Sequence, residues 1–305
     1  MRLLVLRALG LGDLLTAVPA LRALADAFPS HERLLAAPAV LAPLLELADG
    51  VVHRVVDTGE LEPLPSELRD ANVGVNLHGR GPQSHRLLLA ARPGRLIAFE
   101  HPAVPESRGM PAWRRDEHEV RRWCRLLSGS GIPADPTRLE LRRPPAPASA
   151  RGATLIHPGA ASAARRWPGE RWAAVARAER ERGRHVLVTG AADEAALVSR
   201  IADQAGLPPD AVLAGRTSLI ELAGLVAVAG RVACGDTGVA HLASAFGTPS
   251  VVLFGPTPPN EWGPPADGRH RALWTGVRGD PHAEEPHAGL LEIRPAQVVR
   301  ELERL

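Results

Sequence analysis

The sequence predicts an α/β protein built from two doubly wound domains, each with a parallel sheet. Its 305 residues suit two domains of about 150 residues each. Short apolar runs alternate with helical patterns in both halves, and a stretch rich in proline and alanine at 144–152 separates them. We therefore expect an N-terminal domain over 1–143, a linker over 144–152 and a C-terminal domain over 153–290. A final helical segment over 291–305 is expected to pack back toward the N-terminal domain.

The first half follows a strand–helix rhythm from its start. A strand is predicted near 2–8 and a helix near 13–28, and further apolar runs follow at 33–37, 51–56, 73–77 and 95–98. Helical or loop segments connect these runs. The alternation favours parallel strands joined by crossovers.

The second half repeats this architecture without convincing sequence repetition. Strands are predicted near 154–157, 184–189, 211–213, 230–234 and 250–254, and helices near 169–182, 193–205, 218–229, 238–246 and 295–305. Ligands of doubly wound sheets bind at the carboxyl ends of the strands. We therefore expect two ligand-binding edges that face one another.

Composition excludes several classes of protein. The chain is 45% hydrophobic and 23% charged, which is ordinary for a soluble globular protein, and it has no run of about 18 apolar residues that could form a transmembrane segment. Arg7 interrupts the first apolar run, so we expect no signal peptide and a cytoplasmic protein, with peripheral membrane association left open. The net charge of +2 disfavours a nucleic-acid partner. Cys124 and Cys234 are predicted to be buried thiols.

The stretch 235–241, Gly-Asp-Thr-Gly-Val-Ala-His, is the most informative motif. A strand-like run leads into it, and apolar residues at helical spacing follow Gly238. The backbone N–H groups of Thr237 and Gly238 would then point out of a helix N-terminus, where a phosphate is favoured. Asp236 and His241 flank this predicted anion site. Because lysine is absent, any phosphate-binding cation of this chain must be an arginine, which donates hydrogen bonds from a planar fork.

Arg165 and Arg166 supply positive charge about seventy residues upstream. They follow a small-residue loop, His157-Pro158-Gly159-Ala160, at the end of a predicted strand. An isolated Arg-Arg pair is often a solvated surface feature beside a core tryptophan, here Trp167. The second anion-binding element favours phosphate binding instead, and together the two elements indicate a nucleotide diphosphate ligand.

Asp13 follows a glycine-rich turn, Leu9-Gly10-Leu11-Gly12, between the first strand and the first helix. The turn lacks a third glycine at position 15, and no acidic residue ends the second strand, so a nicotinamide cofactor is disfavoured. Asp13 could cap the helix, or it could act as a general base toward an attacking hydroxyl group. Both interpretations stay open at this point.

Three other patterns carry weaker signals. Asp-Thr-Gly occurs at 57–59 and 236–238, but an aspartic protease needs both triplets in matching all-β surroundings, so that class is rejected. Prolines break the stretch 282–287, so its histidines and glutamates indicate a solvated loop and not a metal site. His78 and Arg80 follow a first-domain strand, where acceptor binding and a plain glycine-rich turn are both open.

Taken together, Gly12-Asp13, His157-Pro158-Gly159, Arg165-Arg166-Trp167-Pro168, Gly235-Asp236-Thr237-Gly238 with His241, and Phe254-Gly255-Pro256-Thr257 resemble glycosyltransferase family 9. The resemblance is most specific between 157 and 263. It implies a GT-B fold of two Rossmann-like domains and an inverting, metal-independent transfer from a sugar nucleotide, with ADP-heptose as the donor and no further cofactor.

The resemblance also implies roles for individual residues. Asp13 matches the catalytic base, and Arg165 stands where the family has a phosphate-binding lysine. Asp236, Thr237 and Gly238 match the donor site, with Gly159, Arg166 and His241 beside it. Glu194 matches an acidic residue that holds the ribose, and Thr217 falls near the expected adenine pocket. We assign Gly12, His78 and Arg80 to the acceptor, a glycan or a glycosylated small molecule.

Two rival functions come from other classes. A non-catalytic sugar-nucleotide-binding protein would keep the sites at 165 and 236–238 without needing Asp13. An NAD-dependent sugar-nucleotide epimerase is disfavoured by the incomplete glycine fingerprint.

Overall fold

The computed structural model describes residues Met1–Leu305 and divides them into two units, Met1–Arg142 and Arg143–Leu305. Each unit contains one five-stranded sheet in which all neighbouring strands are parallel. The predicted α/β class with two parallel sheets is therefore confirmed.

The first unit consists of five strands and four helices. In chain order they are β1 (Arg2–Leu6), α1 (Leu11–Ala27), β2 (Glu32–Ala37), α2 (Ala42–Leu45), β3 (Arg54–Asp57), β4 (Val73–Asn76), α3 (Gln83–Ala90), β5 (Arg95–Ile97) and α4 (Glu119–Gly129). The strand order is β3-β2-β1-β4-β5.

The central strand β1 sets the layout of this sheet. Its residues Leu3 to Leu6 are buried because both faces of a central parallel strand are covered. Leu6 lies opposite Ala36 of β2 and Asn76 of β4, so the three strands end at the same edge. The residues that follow β1 and β4 are therefore brought together. Helix α1 begins at this edge of the sheet, and helix α4 packs against α1.

The second unit consists of five strands and seven helices. They are β6 (Thr154–His157), α5 (Gly169–Glu181), β7 (Val186–Val188), α6 (Ala195–Ala205), α7 (Leu219–Val228), β8 (Arg231–Gly235), α8 (Gly238–Phe246), β9 (Ser250–Leu253), α9 (Pro259–Trp262), β10 (His270–Leu273), α10 (Ala288–Glu292) and α11 (Pro295–Glu303). The strand order is β10-β9-β8-β6-β7.

The C-terminal helix α11 is part of the second unit. Val298 and Leu302 are fully buried in the apolar core of this unit, and α11 contacts α5 and β9. The sequence analysis expected this helix to pack toward the first domain. That part of the expectation stays a prediction. Within its own unit, the apolar stripe of α11 completes the layer that covers the second sheet.

Two strands differ from the sequence analysis. The strand predicted at 211–213 is wrong: Pro209–Ala211 is a single 3₁₀ turn, and Val212 forms only an isolated bridge to Val188. The fixed φ of Pro209 favours this turn, which takes up Ala211 and leaves Val212 and Leu213 too short a stretch for a strand. The edge strand β10 was not predicted, since its sequence, His-Arg-Ala-Leu, is short and half polar.

Both cysteines lie in the interior, as the sequence analysis predicted. Cys124 and Cys234 are buried and form no disulfide. Burial raises the pKa of the Cys124 thiol to about 12, and it also raises the pKa of Cys234. Separately, none of the helices combines the length and apolar character that a membrane span requires.

Candidate functional site

The turn between β1 and α1 carries the candidate base. The residue that caps α1 is Gly10, in an extended conformation, so Asp13 is the third residue of the helix and not its cap. Its carboxylate nevertheless accepts a hydrogen bond from the Gly10 backbone, which contributes to the helix start. The side chain is 29% exposed and can therefore still be reached from solvent. Gly12 lies in the same first turn.

The Arg7 side chain lies beneath this turn and is completely buried. Its guanidinium donates to the Asp13 carbonyl oxygen at 3.0 Å and to Thr16 Oγ1 at 3.2 Å, as well as to the Leu77 carbonyl. Its Nη2 is also 3.4 Å from Asp13 Oδ1 and 3.1 Å from Glu119 Oε1. Arg7 thus connects β1, α1, β4 and α4 at the carboxyl edge of the sheet.

The surroundings of Asp13 raise its pKa above the ordinary value for aspartate. Burial makes the largest contribution, and the negative charge of Glu119 adds to it. The positive charge of Arg7 acts in the opposite direction without cancelling the effect. A carboxylate with a raised pKa is a better proton acceptor, which suits a general base.

The loop after β4 brings His78 to the same edge. Asn76 Oδ1 accepts hydrogen bonds from the backbone N–H groups of His78, at 2.8 Å, and Gly79. Burial, helped by the charge of Arg7, lowers the pKa of His78 to about 4, so its imidazole is neutral at pH 7. Its Nδ1 atom is buried and has no hydrogen-bond partner. Arg80, two residues further on, is exposed.

In the second unit, Gly159 and Glu194 come together although they are far apart in the sequence. Gly159 follows β6, and a Cβ atom at this position would collide with the Glu194 carboxylate. Glu194 accepts a hydrogen bond from the Ala191 backbone N–H at 2.9 Å. The acidic group is therefore held over the carboxyl ends of β6 and β7, which requires glycine at 159.

Arg165 and Arg166 point to different partners. Arg165 Nη1 lies 3.4 Å from the Asp236 carbonyl oxygen, and its Nε atom is buried without a hydrogen-bond partner. The Arg165 backbone also lies against Gly235. Arg166 is exposed, and its Nε donates to the Ala160 carbonyl at 2.8 Å. Only Arg165 is thus joined directly to the loop that leads into α8.

The start of α8 has the geometry that the sequence predicted. Thr237 is the capping residue, in an extended conformation and without a side-chain cap, and Gly238 is the first helical residue. An uncapped N-terminus of this kind favours an anion. Asp236 is buried directly before it. One turn into the helix, His241 packs edge-to-face against Trp262, with ring centroids 5.9 Å apart.

Thr217 lies on the loop between Gly215 and α7. It lines a cavity of about 290 Å³ whose apolar walls include Leu187, Leu213 and Leu225, and none of the other predicted donor residues lines this cavity. The loop before it is anchored by a hydrogen bond from the Gly215 N–H to the Gly190 carbonyl at 3.0 Å. Contacts in the structure therefore join Gly159 to Glu194 and Arg165 to Asp236, but they do not join Thr217 to either.

Sequence reasoning missed Arg7 and Glu119. Arg7 has a detectable signal, because an arginine that ends a buried apolar strand needs acidic or carbonyl partners. Glu119 has no such signal, since it is 112 residues from Arg7 along the chain and only the fold brings them together.

Comparisons with known proteins show the family to which the chain belongs. A model of glycosyltransferase family 9 (heptosyltransferase) matches residues 106–286, more than half of the chain. Lipopolysaccharide heptosyltransferase 2 of Escherichia coli strain K12 is 32% identical over 150 residues, covering 47% of this chain and 43% of that protein. The matching stretch thus spans less than half of that relative.

Two solved structures resemble the whole chain. A family 9 glycosyltransferase from Veillonella parvula has a TM-score of 0.80 at 19% identity, with 99% of this chain and 96% of that chain covered. ADP-heptose LPS heptosyltransferase II of E. coli has a TM-score of 0.76 at 22% identity, with 99% and 98% covered. These similarities confirm the predicted GT-B fold class.

Proposed function

Since the chain belongs to glycosyltransferase family 9, we propose that it transfers a sugar from an ADP-linked donor to a hydroxyl group of a glycan or a glycosylated small molecule. The proposed sugar is a heptose, because a structural relative of the same family is described as an ADP-heptose heptosyltransferase. We place the reaction in the cytoplasm, with peripheral association at a membrane where the acceptor is lipid-linked.

The observation that carries this proposal is the carboxylate of Asp13. It is partly exposed at a strand-to-helix turn, and its surroundings raise its pKa. In the proposed mechanism Asp13 accepts the proton of the acceptor hydroxyl as that oxygen forms a bond to the anomeric carbon. The bond from this carbon to the diphosphate breaks on the opposite face, so the configuration inverts.

The leaving ADP is the second requirement of this mechanism. Arg165 and the N-terminus of α8 at Thr237 and Gly238 would stabilise the charge that develops on the diphosphate. Glu194 would hold the ribose hydroxyls, and Asp236 and His241 would contact the sugar side of the donor. In this proposal the arginine and the helix N-terminus supply the stabilisation that a divalent cation provides in other transferases.

The acceptor would bind at the carboxyl edge of the first sheet. Gly12 allows close approach to the backbone beside Asp13, and the neutral His78 has an unpartnered Nδ1 that could accept or donate a hydrogen bond. Arg80 is exposed on the same loop and would suit an acidic acceptor.

Asp13→Asn tests the proposed base. Because the donor site lies in the other unit, this variant should bind ADP as the wild type does. It should lose transfer by about 100- to 10,000-fold, the usual contribution of a general base. Transfer of heptose from ADP-heptose to heptose-deficient glycan acceptors is followed by mass spectrometry, and ADP binding by calorimetry.

Asp26→Asn is the matched control. Asp26 lies on the same helix, but it pairs with Arg138 at the surface, away from Asp13. Normal transfer by Asp13→Asn would contradict the assignment of the base. Equal binding of ADP, UDP and GDP, or tight binding of NAD without competition by ADP, would contradict the proposed donor.

A further inference from the structure

Arg7 is shared between two carboxylates. Its Nη2 lies 3.1 Å from Glu119 Oε1 and 3.4 Å from Asp13 Oδ1. Charge-assisted hydrogen bonds of this type are usually about 2.7–2.9 Å long. Neither carboxylate therefore has the full benefit of the cation, and Asp13 has the smaller share.

Glu119 is held firmly as the competing partner. It is 5% exposed, and it also accepts hydrogen bonds from Arg122 Nη1 and from Trp123 Nε1, the latter at 2.8 Å. The Arg7 guanidinium packs over the Trp123 ring, 4.8 Å from its centroid. Donors on several sides thus fix the position of the Glu119 carboxylate.

The charged groups around Asp13 come from each element that surrounds it. Arg7 follows β1, Glu119 and Arg122 lie on α4, and His78 follows β4. His78 is neutral at pH 7, because its pKa is about 4. Two arginines therefore govern the electrostatics of Asp13. Arg7 contacts both Asp13 and Glu119, and Arg122 acts indirectly because it binds Glu119.

We propose that Glu119 is a positioning residue that sets the proton affinity of Asp13 by competing with it for Arg7. This inference rests on the proposed role of Asp13 as the base. Glu119 keeps Arg7 in place and at the same time prevents it from forming a full ion pair with Asp13, which would make the carboxylate a poor proton acceptor. The base thus remains both oriented and basic.

The test is the pH dependence of kcat/KM in E119Q. Loss of the Glu119 charge leaves Arg7 to Asp13 alone, so the acidic limb of the profile should move to lower pH by about one unit. The plateau should fall by less than about tenfold, since a weaker base transfers the proton less readily. E119D retains the charge and should restore the position of the limb.

R122Q provides a variant with the opposite expected result. Without Arg122, Glu119 depends more strongly on Arg7, so Asp13 receives less of the cation and the acidic limb should move to higher pH. E117Q is the matched control. The Glu117 side chain forms two hydrogen bonds with Arg125, at 2.7 and 2.8 Å, and none with Arg7, so loss of its charge should leave the limb in place.

A second measurement does not depend on transfer. The titration of Asp13 is followed by ¹³C NMR of carboxyl-labelled aspartate, assigned with Asp13→Asn. A lower midpoint of the Asp13 titration in E119Q supports the proposal. If the midpoint falls but the wild-type protein transfers no sugar, the proposed function is overturned and the role of Glu119 is retained. An unchanged midpoint and an unchanged limb, with activity lost equally at every pH, would overturn the tuning role and leave Glu119 a purely structural residue.

Discussion

At the scale of single residues, His157 is a buried histidine at the end of β6 that the proposed mechanism does not use. Its ring Nδ1 shares a hydrogen bond with Thr189 Oγ1 at 3.0 Å. Burial lowers the pKa of His157 to about 4, so the folded protein keeps this imidazole neutral. An unfolded chain would protonate the same group near pH 6.5.

This difference predicts a loss of stability in mild acid. The unfolded state binds the proton below about pH 6.5, whereas the folded state resists it until about pH 4. The contribution of His157 is therefore fully present above pH 6.5 and declines as the pH falls. Between pH 7 and pH 5 we expect His157 alone to account for a loss of about 2 kcal/mol in the free energy of unfolding, and His78, whose pKa is also about 4, adds to the total. Urea denaturation of the wild type and of His157→Asn at the two pH values measures the His157 contribution as a difference.

His157→Asn should remove this part of the pH dependence, since asparagine can still bond to Thr189 but does not titrate. His282→Asn, at an exposed loop position, should leave it as in the wild type. Identical pH dependence in His157→Asn and the wild type would contradict the prediction.

The candidate site could be predicted from the sequence where a motif is local. Glycines between a predicted strand and a predicted helix indicate Asp13 and residues 235–238, and in the structure both lie at such turns. The partners of Asp13 could not be predicted. Glu119 is recruited by tertiary packing, and nothing in its neighbourhood along the chain distinguishes it from other acidic residues of a helix start.

At the scale of elements, the turns that follow the strands are positioned by contacts between distant loops. The loop after β6 is an example, because the Glu194 carboxylate occupies the space that a side chain at Gly159 would need. Glu194 lies directly before α6, in the turn that follows β7, while Gly159 lies in the turn that follows the neighbouring strand β6. The two turns therefore fit together only when one of them has no side chain.

Gly159→Ala should displace Glu194 without unfolding the protein, because the far end of a glutamate can move aside. If Glu194 holds the ribose, the lost hydrogen bonds should weaken ADP binding by about tenfold or more. Calorimetry with ADP measures this change, and thermal melting shows whether the fold is retained.

A double-mutant cycle provides the control. Glu194→Ala should weaken ADP binding to a similar extent, and the double variant should lose little more than either single variant, since both changes remove the same contact. Additive losses, or unchanged affinity in Gly159→Ala, would show that Glu194 does not act through this position.

Most elements could be predicted from periodicity, as the helices Leu11–Ala27, Gly169–Glu181 and Gly238–Phe246 show. These have long apolar stripes or glycine at a boundary. The short edge elements could not be predicted. Strand β10 pairs on one side only, with β9, and needs no continuous apolar run, whereas the apolar residues at 211–213 lack a strand because the turn at Pro209–Ala211 takes up the first of them.

At the scale of the whole molecule, the proposed donor residues all belong to the unit Arg143–Leu305, while Asp13 and the proposed acceptor residues belong to Met1–Arg142. Binding of ADP alone should therefore protect amides of the second unit from hydrogen exchange. The strongest protection is expected at 158–166 and 235–241, where backbone N–H groups and Arg165 would contact the diphosphate.

Hydrogen exchange of the complete chain, followed by mass spectrometry with and without ADP, measures this pattern. Adenosine is the matched control ligand, because it lacks phosphates and should leave 235–241 unprotected. Protection of the turn at 9–13 by ADP without any change at 235–241 would place the nucleotide in the wrong unit and contradict the donor assignment.

The interior position of Cys124 and Cys234 has a practical consequence. Buried thiols with raised pKa values react slowly with maleimides, so the native protein offers little background for labelling. One engineered surface cysteine in each unit would then accept a fluorophore selectively. Energy transfer between two such dyes could report on motion between the units. The two native cysteines need not be removed first, because both are buried.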